Sequence, residues 1–457
     1  MTMTERSEEV WRDRLPGLIA AEEEAFALRT PRSRRLFEQA STELLAGVPM
    51  SWMARWAGPH PIYLDRAEGA ELADVDGNAY ADLCLGDTGA MAGHAPPAVR
   101  EAVAARYGAG ATTMLPTEDA AWVAVELSRR FGPRRWQFTL SATDANRFAI
   151  RIARHLTGRP KVLVFDYCYH GTVDESFATL ADGAVTARAG NVGAPVPLAE
   201  TTRVVEFNDL AGLERELAAG DVACVLAEPA LTNIGIVLPD PGFHEGLREL
   251  TEQAGTLLIV DETHTLSAGP GGCTQRWGLR PDLVTLGKAI GGGVPVGAFG
   301  MDPEIGERIL AARDADLEDT GGVGGTLAGN ALSLAAARAT LSAVLTDEVW
   351  EGTEALATRF ADGARAAIER HGAAWHVVQL GCRAEYRFSP EPPRDGAASA
   401  ALGDPELERY LHLYALNRGV LITPFHNMAL MCPATTEEQV DRHSEVFDAA
   451  LRELLAG

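Results

Sequence analysis

Thr285-Leu286-Gly287-Lys288-Ala289-Ile290-Gly291-Gly292-Gly293-Val294-Pro295-Val296-Gly297 is the stretch on which the reading of this chain turns. A short apolar run delivers a lysine, and a run of glycines follows it. Lys161 and Lys288 are the only lysines among 40 basic residues. Arginine keeps its proton and is a poor nucleophile, whereas a desolvated lysine can lose its proton and attack a carbonyl. The glycines after Lys288 leave backbone room for a bulky aldehyde held in an imine. Lys161, in Gly158-Arg-Pro-Lys161, opens a strand and reads as a solvated surface residue.

Outward from Lys288, the centre of the chain alternates short apolar runs with helical stretches. The runs Trp136 to Leu140, Val162 to Phe165, Val222 to Ala227, Thr256 to Val260 and Leu283 to Leu286 are mostly unbroken. Such runs belong to a parallel sheet covered on both faces, so the fold class is α/β. Before them, residues 5–45 read as helical, with Leu18, Ala21, Ala25 and Leu28 at helical spacing and Glu22, Glu23 and Glu24 on the wet side. Asp76-Gly77-Asn78 is the turn of a small hairpin. From about residue 346 a helix (Thr353 to His371), a strand (Cys382 to Phe388) and a terminal helix (Glu437 to Leu455) suggest a smaller α+β domain. Ser389 to Gly403, rich in Pro, Ala and Gly, reads as a mobile surface loop.

In an open α/β sheet, ligands collect beyond the carboxyl ends of the strands. One strand ends in Asp261-Glu262-Thr263-His264. A carboxylate there is costly unless a cation meets it, and a protonated pyridine nitrogen would serve, as would an arginine. Ser141-Ala142-Thr143-Asp144 precedes a helix and is either a phosphate cradle or a simple cap. Tyr169-His170-Gly171 follows another strand, and its ring either lies over a planar cofactor or packs in the core. Cradle, aromatic plate, aspartate and lysine, in that chain order, are what pyridoxal 5'-phosphate requires.

The 457-residue length predicts two or three packed units. A net charge of -24 disfavours nucleic acid and anionic membrane as partners. Six scattered cysteines show no Cys-x-x-Cys pair or zinc spacing, so no metal is expected and the thiols read as reduced. The polar, acidic first ten residues are unlike a secretory signal, and no apolar run reaches the roughly 20 residues of a membrane span. The expected location is cytoplasmic.

With these motifs on the page, the chain from about Gly47 to its end resembles the class III, fold-type I aminotransferases that depend on pyridoxal phosphate (PLP). Within them it is most similar to the glutamate-1-semialdehyde aminomutase-like and β-amino-acid aminotransferase branch. The resemblance implies a large PLP-binding domain over residues 86–345. It also implies a smaller domain built from both termini, with helices and a hairpin in 1–85 and the remainder in 346–457. Lys288 would form the internal aldimine and shuttle the proton, and Asp261 would pair with the pyridine nitrogen. Thr263, where Val is usual, would pack under the ring; His264, where Gln or Met is usual, would lie near the phenolic oxygen. Tyr169, within Tyr169-His170-Gly171, would stack on the other face. Ser141-Ala142-Thr143 matches a Ser-Gly-Thr phosphate loop, and Glu228 an active-site glutamate. Thr326, after Gly325, matches a threonine that reaches the phosphate of the neighbouring subunit, which implies a homodimer with shared sites.

Ala142 stands where Gly is usual and Asp144 where Glu is usual. The family's two substrate-carboxylate arginines are not in register here. Arg55 and Arg383 are the alternatives, and Trp52, Phe425 and His426 line the corresponding stretches, where core packing is the competing reading. The leading expectation is an aminotransferase moving an amino group from an amino acid or amine donor to a keto acid. The alternative is a glutamate-1-semialdehyde-type 2,1-aminomutase, and the third reading is a non-catalytic protein that kept the fold.

Overall fold

The unbroken apolar runs become a seven-stranded sheet. Its strands are β1 (Arg135–Thr139), β2 (Lys161–Phe165), β3 (Thr202–Val205), β4 (Val222–Ala227), β5 (Leu257–Asp261), β6 (Leu283–Leu286) and β7 (Gly297–Met301), in the order β1-β7-β6-β5-β4-β2-β3. β7 runs antiparallel to both of its neighbours and every other pairing is parallel. All six residues of β4 are buried, as a central strand covered on both faces requires. The sequence runs contain neither β3 nor β7. β3 is an edge strand that carries Arg203, held by Asp221 and Glu216. β7 is glycine-rich, and glycine depresses the strand signal. Asp261 is the last residue of β5 rather than the first beyond it.

This computed structural model describes residues 3–312 and 321–455. They divide into two compact units: Pro96–Trp350 with Pro393–Ala401, and Met1–Ala95 with Glu351–Pro392 and Leu402–Gly457. The first contains the seven-stranded sheet. Its core includes Phe165, Phe207 and Phe243, whose ring centroids lie 4.7–5.6 Å apart. Burying each ring contributes about 1.5–3 kcal/mol.

Helix α1 (Ala142–Thr157) follows β1 and sets one end of the site. Ser141 caps it by accepting from the Asp144 N–H, Arg154 and His155 complement its C-terminal dipole, and Gly158 at φ +67 ends it. Its buried face is Ala145, Asn146, Ala149, Ile150, Ile152 and Ala153. The small side chains let the helix sit close to the sheet, and Asn146 is the one strongly polar residue on that face.

The second unit contains the expected hairpin, Glu71–Asp74 against Ala79–Asp82, and Val420–Leu421 extends it in parallel. A separate antiparallel sheet joins His376–Leu380, Arg383–Arg387 and Met428–Leu430. The chain's first helix, Met3–Arg29, buries Trp11, Leu15, Ile19 and Phe26. The apolar stripe proposed from Leu18, Ala21, Ala25 and Leu28 is therefore misplaced around the helix: Leu28 is 78% exposed, while Glu22 is buried against Arg418 and Asn417. An ion pair put a glutamate inside, which periodicity alone could not show.

Residues 389–403 are not a free loop. Gly396–Ala400 forms a short helix capped by Asp395. Ser399 Oγ donates to the Ile234 carbonyl at 2.6 Å, Asn208 Nδ2 to the Arg394 carbonyl at 2.7 Å, and Arg394 pairs with Asp240. The Pro/Ala/Gly composition concealed these polar anchors.

Candidate active site

The parallel strands carry the candidate side chains at one end, the carboxyl end. Ser141 to Thr143 follow β1, Tyr169 to Gly171 follow β2, Glu228 follows β4, Asp261 closes β5 and Lys288 follows β6. This is the end at which an open α/β sheet leaves room for a ligand.

Asp261 is 4% exposed and held by three donors. Its Oδ2 accepts from Asn146 Nδ2 at 2.7 Å and from His170 Nδ1 at 2.9 Å, and its Oδ1 accepts from the Thr263 N–H at 3.0 Å. Burial pushes this carboxyl up, but the His170 hydrogen bond and charge, with Thr263 and Asn146, outweigh it and hold Asp261 down at about 2. Burial likewise opposes charge on His170, yet Cys168 and Asp261 push it up to about 10. Thr285, on β6, donates to Asn146 Oδ1 at 2.6 Å and fixes the amide that faces Asp261. Asp261 is thus a buried, ionised acceptor with a rigid surround.

Glu228 is also buried, and burial pushes it up against the opposing effects of His170, Thr232 and the Tyr169 N–H. Its Oε2 accepts from Thr232 Oγ1 at 2.6 Å and its Oε1 from the Tyr169 N–H at 3.1 Å, so it orients the loop that carries the aromatic ring. Tyr169 is half-buried, edge-on to Phe177 at 6.5 Å.

Two glycines make the close approaches. Gly171 has φ +74, and a Cβ there would lie 2.0 Å from Thr143 Oγ1. Thr143 Oγ1 also accepts from the Thr172 N–H at 3.1 Å, which ties the Tyr-His-Gly loop to the first turn of α1. Gly287 is extended, and a Cβ there would meet the Ala142 methyl at 2.8 Å. The methyl that Ala142 adds where the resemblance has Gly is accommodated because residue 287 has none. The next residue, Lys288, is half-buried and has φ +47, a conformation that side chains adopt rarely. Its Nζ lies 2.7 Å from His264 Nε2. By contrast, Lys161 lies at the far end of β2, bonded to the Ala199 carbonyl and 3.6 Å from Asp221.

Thr326 is exposed on the loop that follows Gly325. Trp52, Arg55, Phe425, His426 and Arg383 belong to the second unit. There Trp52 and Phe425 meet edge to face at 5.7 Å, and the Arg55 guanidinium lies 5.8 Å from the Phe425 ring. His426 is 6% exposed, with Nδ1 4.0 Å from Glu385. Arg383 is fully buried and donates to Thr88 Oγ1 at 2.8 Å, so its guanidinium is committed to the sheet interior. Sequence reading passed over Asn146, Thr285 and Thr232. A lone amide on the Ala/Ile face of α1 was the available signal for Asn146.

The aminotransferase class-III family model matches residues 52–451. The chain belongs to that family. A glutamate-1-semialdehyde 2,1-aminomutase of Desulforudis audaxviator is 36% identical over 93% of this chain and 99% of its own length. One from Sorangium cellulosum is 37% identical over 94% and 98%. Among solved structures, a glutamate-1-semialdehyde aminomutase from Pseudomonas aeruginosa PAO1, as a lysine-to-alanine variant in complex with PMP, superposes with a TM-score of 0.94. It is 47% identical, over 97% of this chain and 99% of that one. A β-phenylalanine aminotransferase from Variovorax paradoxus superposes with a TM-score of 0.84 at 28% identity, over 95% and 97%. The fold is fold-type I and the cofactor is pyridoxal 5'-phosphate.

The residues present fit that group. The first N–H groups of α1, at Ala142 and Thr143, have no carbonyl one turn back and face the positive end of the helix dipole, where a phosphate is favoured. Asp261 offers a fixed anionic acceptor, which a pyridinium N–H requires. Gly287 lies against Ala142 and Gly171 against Thr143, so the start of α1 is approached closely by both loops and has no room for an added Cβ at either glycine. Among the described residues no cluster of three or more His, Cys, Asp or Glu could hold a metal ion, and no helix is long and apolar enough to cross a membrane.

Proposed function

We propose that this chain is a PLP-dependent 2,1-aminomutase of the glutamate-1-semialdehyde type, which moves an amino group between adjacent carbons of one molecule. The observation that carries the proposal is the near full-length likeness to the Pseudomonas aminomutase, at 47% identity. This reverses the order of the two enzymatic readings drawn from sequence. An aminotransferase remains the second reading, supported by the superposition on the β-phenylalanine aminotransferase at a TM-score of 0.84.

Bound PLP supplies an electron-poor pyridinium ring that takes up the electron pair released when a substrate C–H bond breaks. Asp261 would hold the ring nitrogen protonated through a carboxylate that His170, Asn146 and the Thr263 N–H keep in place. Ser141, Ala142 and Thr143 receive the phosphate at the start of α1. Tyr169 and Thr263 would pack against the ring, and Glu228 fixes the Tyr169 loop through its bond from the Tyr169 N–H. Lys288 would hold the cofactor by its aldehyde carbon and would carry the proton between substrate and cofactor carbons. Thr326 is proposed to serve the phosphate of a partner subunit in a homodimer.

The test supplies glutamate-1-semialdehyde to the holoenzyme with no keto acid. A mutase yields the isomer with its amino group on C1, and added 2-oxoglutarate or pyruvate is not consumed. Stoichiometric consumption of either keto acid, with no isomer formed, would establish the aminotransferase reading instead. Lys288→Ala abolishes turnover in both cases.

A further inference from the structure

We infer that His264 is the proton-exchange partner of Lys288, so that the lysine works as half of a two-nitrogen acid–base pair. The inference rests on the reading of Lys288 as the cofactor anchor. Its geometric basis is the 2.7 Å separation of Lys288 Nζ and His264 Nε2. At that distance one nitrogen donates and the other accepts, and two protonated groups would repel strongly. One N–H is therefore shared between the two nitrogens, and the pair has room for one positive charge rather than two.

Local structure fixes the imidazole. His264 lies three residues after Asp261 and immediately precedes the tight turn Thr265–Ala268. Its carbonyl accepts from the Ser267 N–H at 3.3 Å and from Ser267 Oγ at 2.9 Å, which pins its backbone. The side chain is half-buried. The resemblance puts Gln or Met at this position, and neither exchanges a proton near neutral pH, whereas histidine does. The neighbouring titratable groups have other commitments. Asp261 is matched by His170. Glu228 is held by Thr232 and the Tyr169 N–H, and Glu262 by Thr265, Cys273 and Thr274.

The step balances within the pair. Lys288 Nζ uses its lone pair to take a proton from carbon, and as it does so one of its own N–H protons passes to the lone pair on His264 Nε2, so the pair gains one proton in all. On the return, His264 Nε2 gives that proton back to Lys288 Nζ as Lys288 delivers one to the accepting carbon. No co-reactant is needed. His264 thus acts through Lys288, as a positioning and proton-holding residue.

The test compares wild-type holoenzyme with His264→Gln and His264→Met. Gln keeps a hydrogen-bonding side chain but cannot titrate; Met offers neither property. Borohydride reduction followed by peptide mass mapping first locates the cofactor. The pH midpoint of the visible absorption band and the pH profiles of kcat and KM with glutamate-1-semialdehyde are then measured. Cofactor trapped on Lys288 in all three proteins is the expected starting point. The band midpoint then moves by about one pH unit or more in both variants, and kcat falls about 100-fold or more, as loss of a positioned acid–base group does, while KM changes little. If the Gln variant titrates and turns over like wild type, the inference is overturned even though the anchor stands. If wild type traps no cofactor on Lys288, the anchor assignment fails, and the inference with it.

Discussion

His170→Asn isolates the charge that holds Asp261 ionised. Asparagine can still place an N–H donor near the carboxylate, but it carries no charge. In the native protein Asp261 is lowered from an ordinary 3.8 to about 2 despite complete burial. That shift corresponds to about 2 kcal/mol of preference for the charged form. Removing the cation leaves burial opposed by hydrogen bonds alone, chiefly those from the Thr263 N–H and Asn146, and breaking a buried pair by one partner costs about 3–5 kcal/mol. The cofactor-stripped variant should therefore lose about 2–5 kcal/mol in urea unfolding at pH 5.5. The sign of the pH dependence follows from both groups. Asp261 is depressed, so its contribution is present above pH 3.8 and is lost as pH falls through about 2. His170 is raised, so its contribution is complete below pH 6.5 and is lost as pH rises through about 10. The difference between wild type and variant should peak between pH 4 and 6.5 and shrink on both sides. Equal stabilities within about 0.5 kcal/mol at pH 5.5, or a difference that stays flat up to pH 10, would refute the pairing argument.

Gly287→Ala should destabilise the protein by about 1–3 kcal/mol, because its new methyl would meet that of Ala142 at 2.8 Å. Adding Ala142→Gly should restore part of the loss, and a thermal-melt double-mutant cycle checks this. Gly171→Ala meets both a φ of +74 and Thr143 Oγ1 at 2.0 Å, so fluorescence titration should show PLP affinity reduced at least tenfold, about 1.4 kcal/mol. Asn146→Ala removes one of three donors to Asp261 and should cost about 1.5–3 kcal/mol, read by urea unfolding.

The parallel core was legible because its runs are apolar without alternation, as at Val222 to Ala227, where every residue is buried. Lys288 and Asp261 stand out in the sequence because a lysine in a chain of arginines, and an acid at a strand end, are both chemically conspicuous, and the sheet carries both at its carboxyl end. The surround of Asp261 was less legible: Asn146, Thr285 and His170 approach it from α1, β6 and the loop after β2, and only the folded sheet brings them together. The Lys288–His264 contact spans 24 residues and needs two neighbouring strands to align. The first helix was misread because Glu22, polar by type, is inside through its pair with Arg418. Residues 389–403 were misread because their anchors, Asn208, Ile234 and Asp240, lie far away in sequence.

Val420–Leu421 completes the hairpin sheet by pairing with Ala81 and Asp82. Its partner strand, Ala79–Asp82, leaves the ribosome some 340 residues before Val420–Leu421. At about 5–20 residues per second, the early hairpin waits on the order of 20–70 s for its partner. During that interval its edge offers unpaired backbone to any passing chain. Translation speed and chaperone supply, more than the equilibrium stability of the finished enzyme, should therefore govern how much of it is recovered from a cell.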